Sequence, residues 1–580
     1  MLFFSAVALA QSPSAASSRP GFDGPAELPR VYVKSALADT PAPGRKWTVK
    51  NGGNLQETIE RASCGDTIEL QAGAAFAGRF RLPSKKCDDA HWLILRTSAP
   101  DSALPPEGTR ITPCYAGVAS LPSRPAYPCD SPKNVMAKLV LDTQGNGTVI
   151  LDDGANHYRL IGLEITRQVS GESVRSLIIP KEDAATSKIV VDRCWLHGNA
   201  QDETNKGLQL VGSTYVAVVD SYFSDFHCIA VTGACTDAQA IGGGNGDLPM
   251  GPYKIVNNFM EGAGETILLG GGHATQTPAD IEIRHNHMFK PMTWKPDSAG
   301  FVGAPNGRPF IVKNLFELKN AQRVLFEGNI LENAWGGFTQ TGFAVLLTPK
   351  NQAGKGGNLC PMCRVTDITI RYSTISHVAS CFQIGNALSD KGGAASAGER
   401  YSIHDVVCDD VDGENYKGFG NFAQLGQKTP PLHDVKLDHI TAFAPNAALN
   451  VGNKDSGIPI ANVTITNNIL TAGRLQVSST GGGGPSSCSF HAKARPPASV
   501  LSSCLSPATI SHNAIIEGSG WPKGNFTPKD AGAVRFVNFS NGNNGDYHLR
   551  SDSPYKHAGS DGKDIGADID AIEAATAGAK

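Results

Sequence analysis

Charge is scarce in this chain. Only 18% of its 580 residues are Asp, Glu, Lys or Arg, and the formal net charge is −3. General nucleic-acid binders usually carry a clear basic excess, so nucleic acid is not expected as a partner. Long apolar runs are missing too. No segment approaches the roughly 20 apolar residues of a membrane span, and none is expected. Several catalytic signatures are absent: no Gly-x-Ser-x-Gly elbow opens a helix, and Gly242-Gly-Gly244 begins neither a phosphate-binding loop nor a dinucleotide fingerprint. Cys360-Pro-Met-Cys363 has no second CxxC or His pair at zinc spacing. A loop disulfide is expected there rather than a metal site.

Glycine, by contrast, is abundant at 64 residues, which fits many short strands joined by tight turns. Residues 1–10 form a short apolar run ending in Ala8-Leu9-Ala10, a small-x-small cleavage pattern. They read as a signal peptide, cut short, and a secreted or periplasmic location is expected. Residues 11–45, rich in Ser, Pro and Ala, read as a linker. Most of the thirteen cysteines fall into close pairs: Cys64 with Cys87, Cys114 with Cys129, Cys228 with Cys235, Cys360 with Cys363, and Cys488 with Cys504. Such pairs suit disulfides in an oxidising compartment. Cys194, Cys381 and Cys408 lie in strand-like runs and read as small buried apolar residues.

One phrase recurs: apolar, any, apolar, two or three polar residues, apolar. It appears as Ile189-Val-Val-Asp-Arg-Cys-Trp-Leu196, Val216 to Phe223, Tyr253 to Met260, Ile281 to Met288, Val324 to Leu331, Ile368 to Ile375, Val435 to Ile440 and Val463 to Leu470. Alternation at period 2 marks strands, and a spacing of roughly 27 to 44 residues marks a solenoid. A polar turn position repeats at Ser221, Asn258, Asn286, Asn329, Ser373 and Asn468. Stacked side chains there can bond up the array, and Asn tolerates the left-handed turn conformation. A second strand follows in each coil, and its middle residue points outward. That aligns Gln209, Leu268, Glu317, Leu346, Gln383, Gln424 and Asn450 on one face. Asn54 to Ala62 reads as a helix capping the first coil, whose strand is Gly65 to Leu70.

With this cap, the Asn ladder and a Gly545-Asp-Tyr-His-Leu549 tail, the chain resembles the pectin-lyase-like right-handed parallel β-helix superfamily, from about Trp47 to Ile569. Val312 to Val324, with Thr348-Pro-Lys-Asn-Gln352, looks like a group of bacterial secreted β-helix proteins. The resemblance implies an all-β solenoid over 46–570, inserted loops at about 289–310 and 475–508, and a tail at 571–580. A monomer is expected. The superfamily includes polysaccharide lyases, glycoside hydrolases and tailspikes, so the fold leaves the reaction open. The Arg-x-Pro-x-x-Arg signature of pectate lyases is absent, as are the Asn-Thr-Asp and Gly-His-Gly motifs of polygalacturonases. No catalytic residue therefore carries over.

The site is sought on the outer face beside a long loop. Phe289 to Phe310 is the longest irregular stretch between the clear repeats, and it holds Lys290, Trp294, Lys295, Asp297 and Arg308. A Trp with cations suits a sugar acid: Trp294 would stack on the ring while Lys295 and Arg308 meet its carboxylate. The alternative is a surface loop whose Trp packs on the coil. Lys319, Glu317, Glu265, His285 and His287 are the candidate catalytic residues, with Gln383 and Gln424 as further substrate contacts. Uronide β-elimination needs a neutralised carboxylate, a base and an acid. Glu265 and Glu317 would hold a Ca²⁺ ion if a metal does the neutralising. Hydrolysis needs two carboxylates, drawn from Glu265, Glu317 and Asp237. Asp225 and His227, near Asp237 and Gln239, form a second candidate. A polysaccharide is the expected partner, cleaved by a lyase first and a hydrolase second. The non-enzymatic alternative is a glycan-binding or surface scaffold.

Overall fold

The computed structural model describes residues 20–580 except 144, 231–234, 338–340, 355–356, 387–392, 429–430, 454–455 and 481–483. The proposed signal segment and residues 11–19 lie outside them. The chain winds into stacked coils of three short strands. In one coil these are Ala279–Arg284, His287–Phe289 and Phe316–Leu318. The first two strand positions stack into a 24-stranded sheet and the third into a 12-stranded sheet. Every strand pairing between neighbouring coils is parallel among the described residues, as in Ile281 with Val324 and Phe316 with Val345. This is the parallel β-helix expected from the repeat. One apolar core runs the length of the stack, since no single coil buries its inner face alone. Helix α1, Leu55–Arg61, caps the first coil with Leu55 and Ile59 buried and Asn54 accepting from the Glu57 amide. Two further short helices, α2 (Pro497–Cys504) and α3 (Ile569–Thr576), carry no repeat phrase and escaped the sequence reading.

The ladder forms as expected. Asn258 Oδ1 accepts from the Ser221 amide at 2.9 Å, Asn286 from Asn258 at 2.9 Å, and Asn329 from Asn286 at 3.0 Å. Ser373 Oγ accepts from Asn329 at 3.1 Å. The left-handed residue is not the ladder Asn, however, but the one before it: Asn257, His285 and Asn467 have φ of 58°, 56° and 58°. The ladder side chain then holds that turn from the next coil. Asn329→Ala, which orphans the Asn286 amide group, is expected to destabilise by about 1–3 kcal/mol. Urea denaturation measures this, and an unchanged midpoint would remove the ladder from the stability account.

All five anticipated disulfides are present. Cys381 and Cys408 form a sixth, correcting their reading as isolated apolar residues. They lie on different sheets of adjacent coils, so sequence spacing hides the pair. Cys194 stays free and buried. Six disulfides suit an oxidising compartment. Among the described residues no helix is long and apolar enough to cross a membrane.

Three segments cover the larger sheet. Residues 20–45, read as a linker, instead lie along the stack. Asp23 pairs with Arg371 at 2.6 Å, Asp280 accepts from the Arg30 amide at 2.9 Å, and the Ser35 carbonyl accepts from Arg159 at 2.8 Å. The insertion between Thr97 and Ala137 packs Leu104, Ile111 and Met136 on Trp195, Tyr222 and Phe259. The C-terminal segment runs back over the coils, where Lys580 meets Glu332 at 2.8 Å. The 12-stranded sheet keeps open hollows on its outer face.

Candidate active site

Period-2 alternation decides what this open face shows. Phe316 and Leu318 enter the core, and Glu317 points out. The registers align Gln209, Gly242, Leu268, Glu317, Leu346, Gln383, Gln424, Asn450 and Ser478 across neighbouring coils. The row read from sequence is therefore the row in the structure, with Gly242 and Ser478 added.

Outward does not mean exposed. Glu317 is 1% and Lys319 6% accessible, which corrects the expectation of two solvated side chains. The end of the preceding loop contributes, bringing Asn314 onto Glu317 and Lys313 onto Glu265. Asn314 Nδ2 donates to Glu317 Oε2 at 2.9 Å, and Lys319 Nζ lies 3.1 Å from Glu317 Oε1. Glu265, fully buried, accepts from Gln239 Nε2 at 3.3 Å and sits 3.8 Å from Lys313 Nζ. Lys313 also pairs with Asp237. Three carboxylates and two lysines thus alternate within one patch.

Above this patch opens a groove of about 330 Å³. Arg175, Lys206, Asp237, Gln239 and Lys319 line it, and its floor includes Gly242, Gly243, Gly270 and Gly271. The glycines matter sterically. A Cβ on Gly242 would meet Lys206 Cε at 2.9 Å, and one on Gly271 would meet Lys319 Cδ at 3.3 Å. Bare backbone lets both lysine stems lie across the floor.

The patch separates its charges. Burial, reinforced by Asp237, pushes the Glu265 carboxyl up to about 8, against the pull of Lys313. Burial also acts on Asp237, but Lys313 and Lys319 outweigh it and hold that carboxyl below its usual range. Burial, with Arg175 beside it, lowers Lys206 to about 8. For Lys319 the opposing carboxylates Glu317, Glu265 and Asp237 overcome burial, and the ammonium is held protonated.

Other sequence candidates fall elsewhere. His287 is buried in the larger sheet and meets Glu332 at 2.8 Å. His285 donates from Nε2 to the Ala577 carbonyl at 2.8 Å. Neither contact reaches the groove. Trp294 is buried with Phe310, Val312 and Trp335, so it packs on the coil and offers no sugar platform. Lys295 and Arg308 do not line the groove. His227 stacks on Phe310 at 3.7 Å, and burial pushes its imidazole down to about 4. Asp225 is tied to Arg124 at 2.6 Å. Gln383 and Gln424 stand in the outward row.

Lys206, Arg175 and Lys313 were missed. A signal existed for Lys206: in four successive coils a polar residue stands two places ahead of the inward strand residue. Lys206 precedes Leu208, Gln239 precedes Ile241, Glu265 precedes Ile267 and Asn314 precedes Phe316. These four form a second column beside the outward row.

The donor set does not fit a calcium ion. Ca²⁺ takes six to eight oxygen ligands, whereas Glu265 and Glu317 each face a lysine ammonium. Among the described residues two groups bring three candidate ligand atoms together. One is Glu203 with disulfide-bonded Cys228 and Cys235, the other His548, Asp570 and Glu573. Neither includes Glu265 or Glu317.

No protein-family model matches the chain, and no curated protein matches it in sequence. Among solved structures, pectate lyase Pel9A is 12% identical, covers 91% of this chain and 97% of its own, and has a TM-score of 0.36. The alginate lyase AlyGC of the PL6 family is 9% identical, with coverage of 90% and 58% and a TM-score of 0.41. A PL6 family polysaccharide lyase from Pseudopedobacter saltans is 12% identical, with coverage of 83% and 92% and a TM-score of 0.35. By its own strand registers, the chain is a parallel β-helix built of stacked three-strand coils.

Proposed function

We propose that the groove cleaves an acidic polysaccharide by β-elimination. The observation that carries this reading is Lys206: an amine lining the groove, lowered to about 8 by burial and Arg175, with Lys319 lining the same groove. A base is most effective with its pKa near the working pH. In this reading Arg175 pairs with the uronate carboxylate and makes the C5 proton more acidic. The neutral Lys206 amine takes that proton. The C5 electron pair forms the C4–C5 double bond, and the bond from C4 to the glycosidic oxygen breaks. The Lys319 ammonium supplies the proton the leaving oxygen needs, and Glu317 positions it. The step uses no metal.

One observation favours a second reading, hydrolysis. The environments of Asp237 and Glu265 push their pKa values apart, the pattern of an acid paired with a base. The products separate the readings. Incubation with polygalacturonate, alginate, hyaluronan and chondroitin sulfate is expected to release reducing ends with matching ultraviolet absorbance from new double bonds. Reducing ends without that absorbance would establish hydrolysis. No release from any of them would leave a glycan-binding scaffold.

A further inference from the structure

The outer face of the 12-stranded sheet holds a second hollow, of about 530 Å³. Its floor continues the outward row through Gln424, Asn450 and Ser478. Phe419 stands on one side, and His491 and Lys493 of the inserted segment close the other. The register runs from Glu317 through Leu346, Gln383 and Gln424 to Asn450. At the usual strand spacing the hollow lies about 19 Å from the charged patch.

Two features mark it as built for a ligand. Asn450 is 8% accessible, and its Nδ2 donates to Ser478 Oγ at 2.9 Å and to the Ser479 carbonyl at 3.3 Å. Its Oδ1 is buried and accepts from no group of the described residues. Buried acceptors are nearly always satisfied, and a turn of this amide toward the hollow would present the oxygen to a ligand hydroxyl. Independently, Phe419 leaves 49% of its surface open beside that amide floor. An apolar ring next to neutral amides and a hydroxyl matches a sugar: the pyranose face stacks on the ring, and hydroxyls reach the amides. Among the described residues no carboxylate lines the hollow.

We propose that this hollow is a second glycan-binding subsite, taking a hydroxyl-rich stretch of the polymer whose acidic unit enters the groove. Only the identity of that polymer rests on the β-elimination reading. Binding at the hollow is read without turnover.

Affinity electrophoresis tests it, in gels cast with polygalacturonate, alginate, galactomannan or xylan. All proteins carry Lys206→Ala so that the polymer stays intact. At least one polymer is expected to retard the parent. Phe419→Ala and Gln424→Ala should each weaken that binding at least about tenfold. Both side chains are partly exposed, and equal melting temperatures confirm folding. Unchanged retardation in both variants, or no retardation of the parent by any of the four, overturns the proposal. If the wild type makes no unsaturated ends while retardation stays Phe419-dependent, the elimination reading falls and the subsite stands.

Discussion

Lys206→Ala is expected to lower turnover on the true substrate at least about a hundredfold, the lower range for a lost general base. The pH profile identifies the role more sharply than the loss does. A base must shed its proton to act, so wild-type kcat/KM should climb as pH rises through about 8, the value burial and Arg175 give this amine. Arg175→Ala removes a neighbouring cation that disfavours the ammonium. The amine then holds its proton to higher pH, and the rise should move upward with it. A fixed charge contact would move neither limb. A profile flat from neutral to alkaline pH would remove Lys206 as the base.

The second large effect is on stability. Glu317 and Lys319 are both buried, and each is the other's partner at 3.1 Å. Removing one side of a buried ion pair strands the other charge, at a cost of about 3–5 kcal/mol. Glu317→Ala and Lys319→Ala should each lose stability on that scale in urea denaturation. The double replacement Glu317→Leu with Lys319→Met leaves no charge stranded and should lose far less. Additive losses would mean that the two charges are uncoupled. This pair also decides how variants are assayed: Lys319→Ala confounds folding with chemistry, whereas Lys206 has no ion-pair partner among the bonds described and donates to Asn205 Oδ1 at 2.5 Å.

The contrast shows what the amino-acid order makes legible. Phe316-Glu-Leu318 and Phe382-Gln-Ile384 share a period of 2, and period fixes direction, so the outward row could be read correctly coil by coil. The Asn ladder and five of the six disulfides were legible for a similar reason: each rests on spacing within a coil or one loop. Burial of Glu317 and Lys319 was not. It comes from where the preceding loop ends: Asn314 reaches Glu317, and Lys313 reaches Glu265, only once that loop has folded back. Ile311 binds the Cys228 carbonyl at 2.8 Å, and Lys313 binds the Ala263 carbonyl at 3.1 Å. The same folding takes Trp294 into an apolar cluster, away from any sugar. Residues 20–45 look like a linker because Ser, Pro and Ala carry no periodicity. Their partners lie far along the chain: Asp280 is 250 positions from Arg30, and Ser402 is 379 from Asp23. Composition cannot report contacts at that range.

The central claim is that chemistry happens in the glycine-floored groove, and Gly242→Ala tests it most directly. The backbone there needs no positive φ, and the atoms nearest the added methyl belong to side chains, Gln239 Oε1 at 2.1 Å and Lys206 Cε at 2.9 Å. The fold should therefore survive while both groups are pushed from their places. The account predicts turnover at least about tenfold lower, since small misplacements at a reacting centre are costly, with the melting temperature essentially unchanged. Wild-type turnover in a folded Gly242→Ala protein would contradict it.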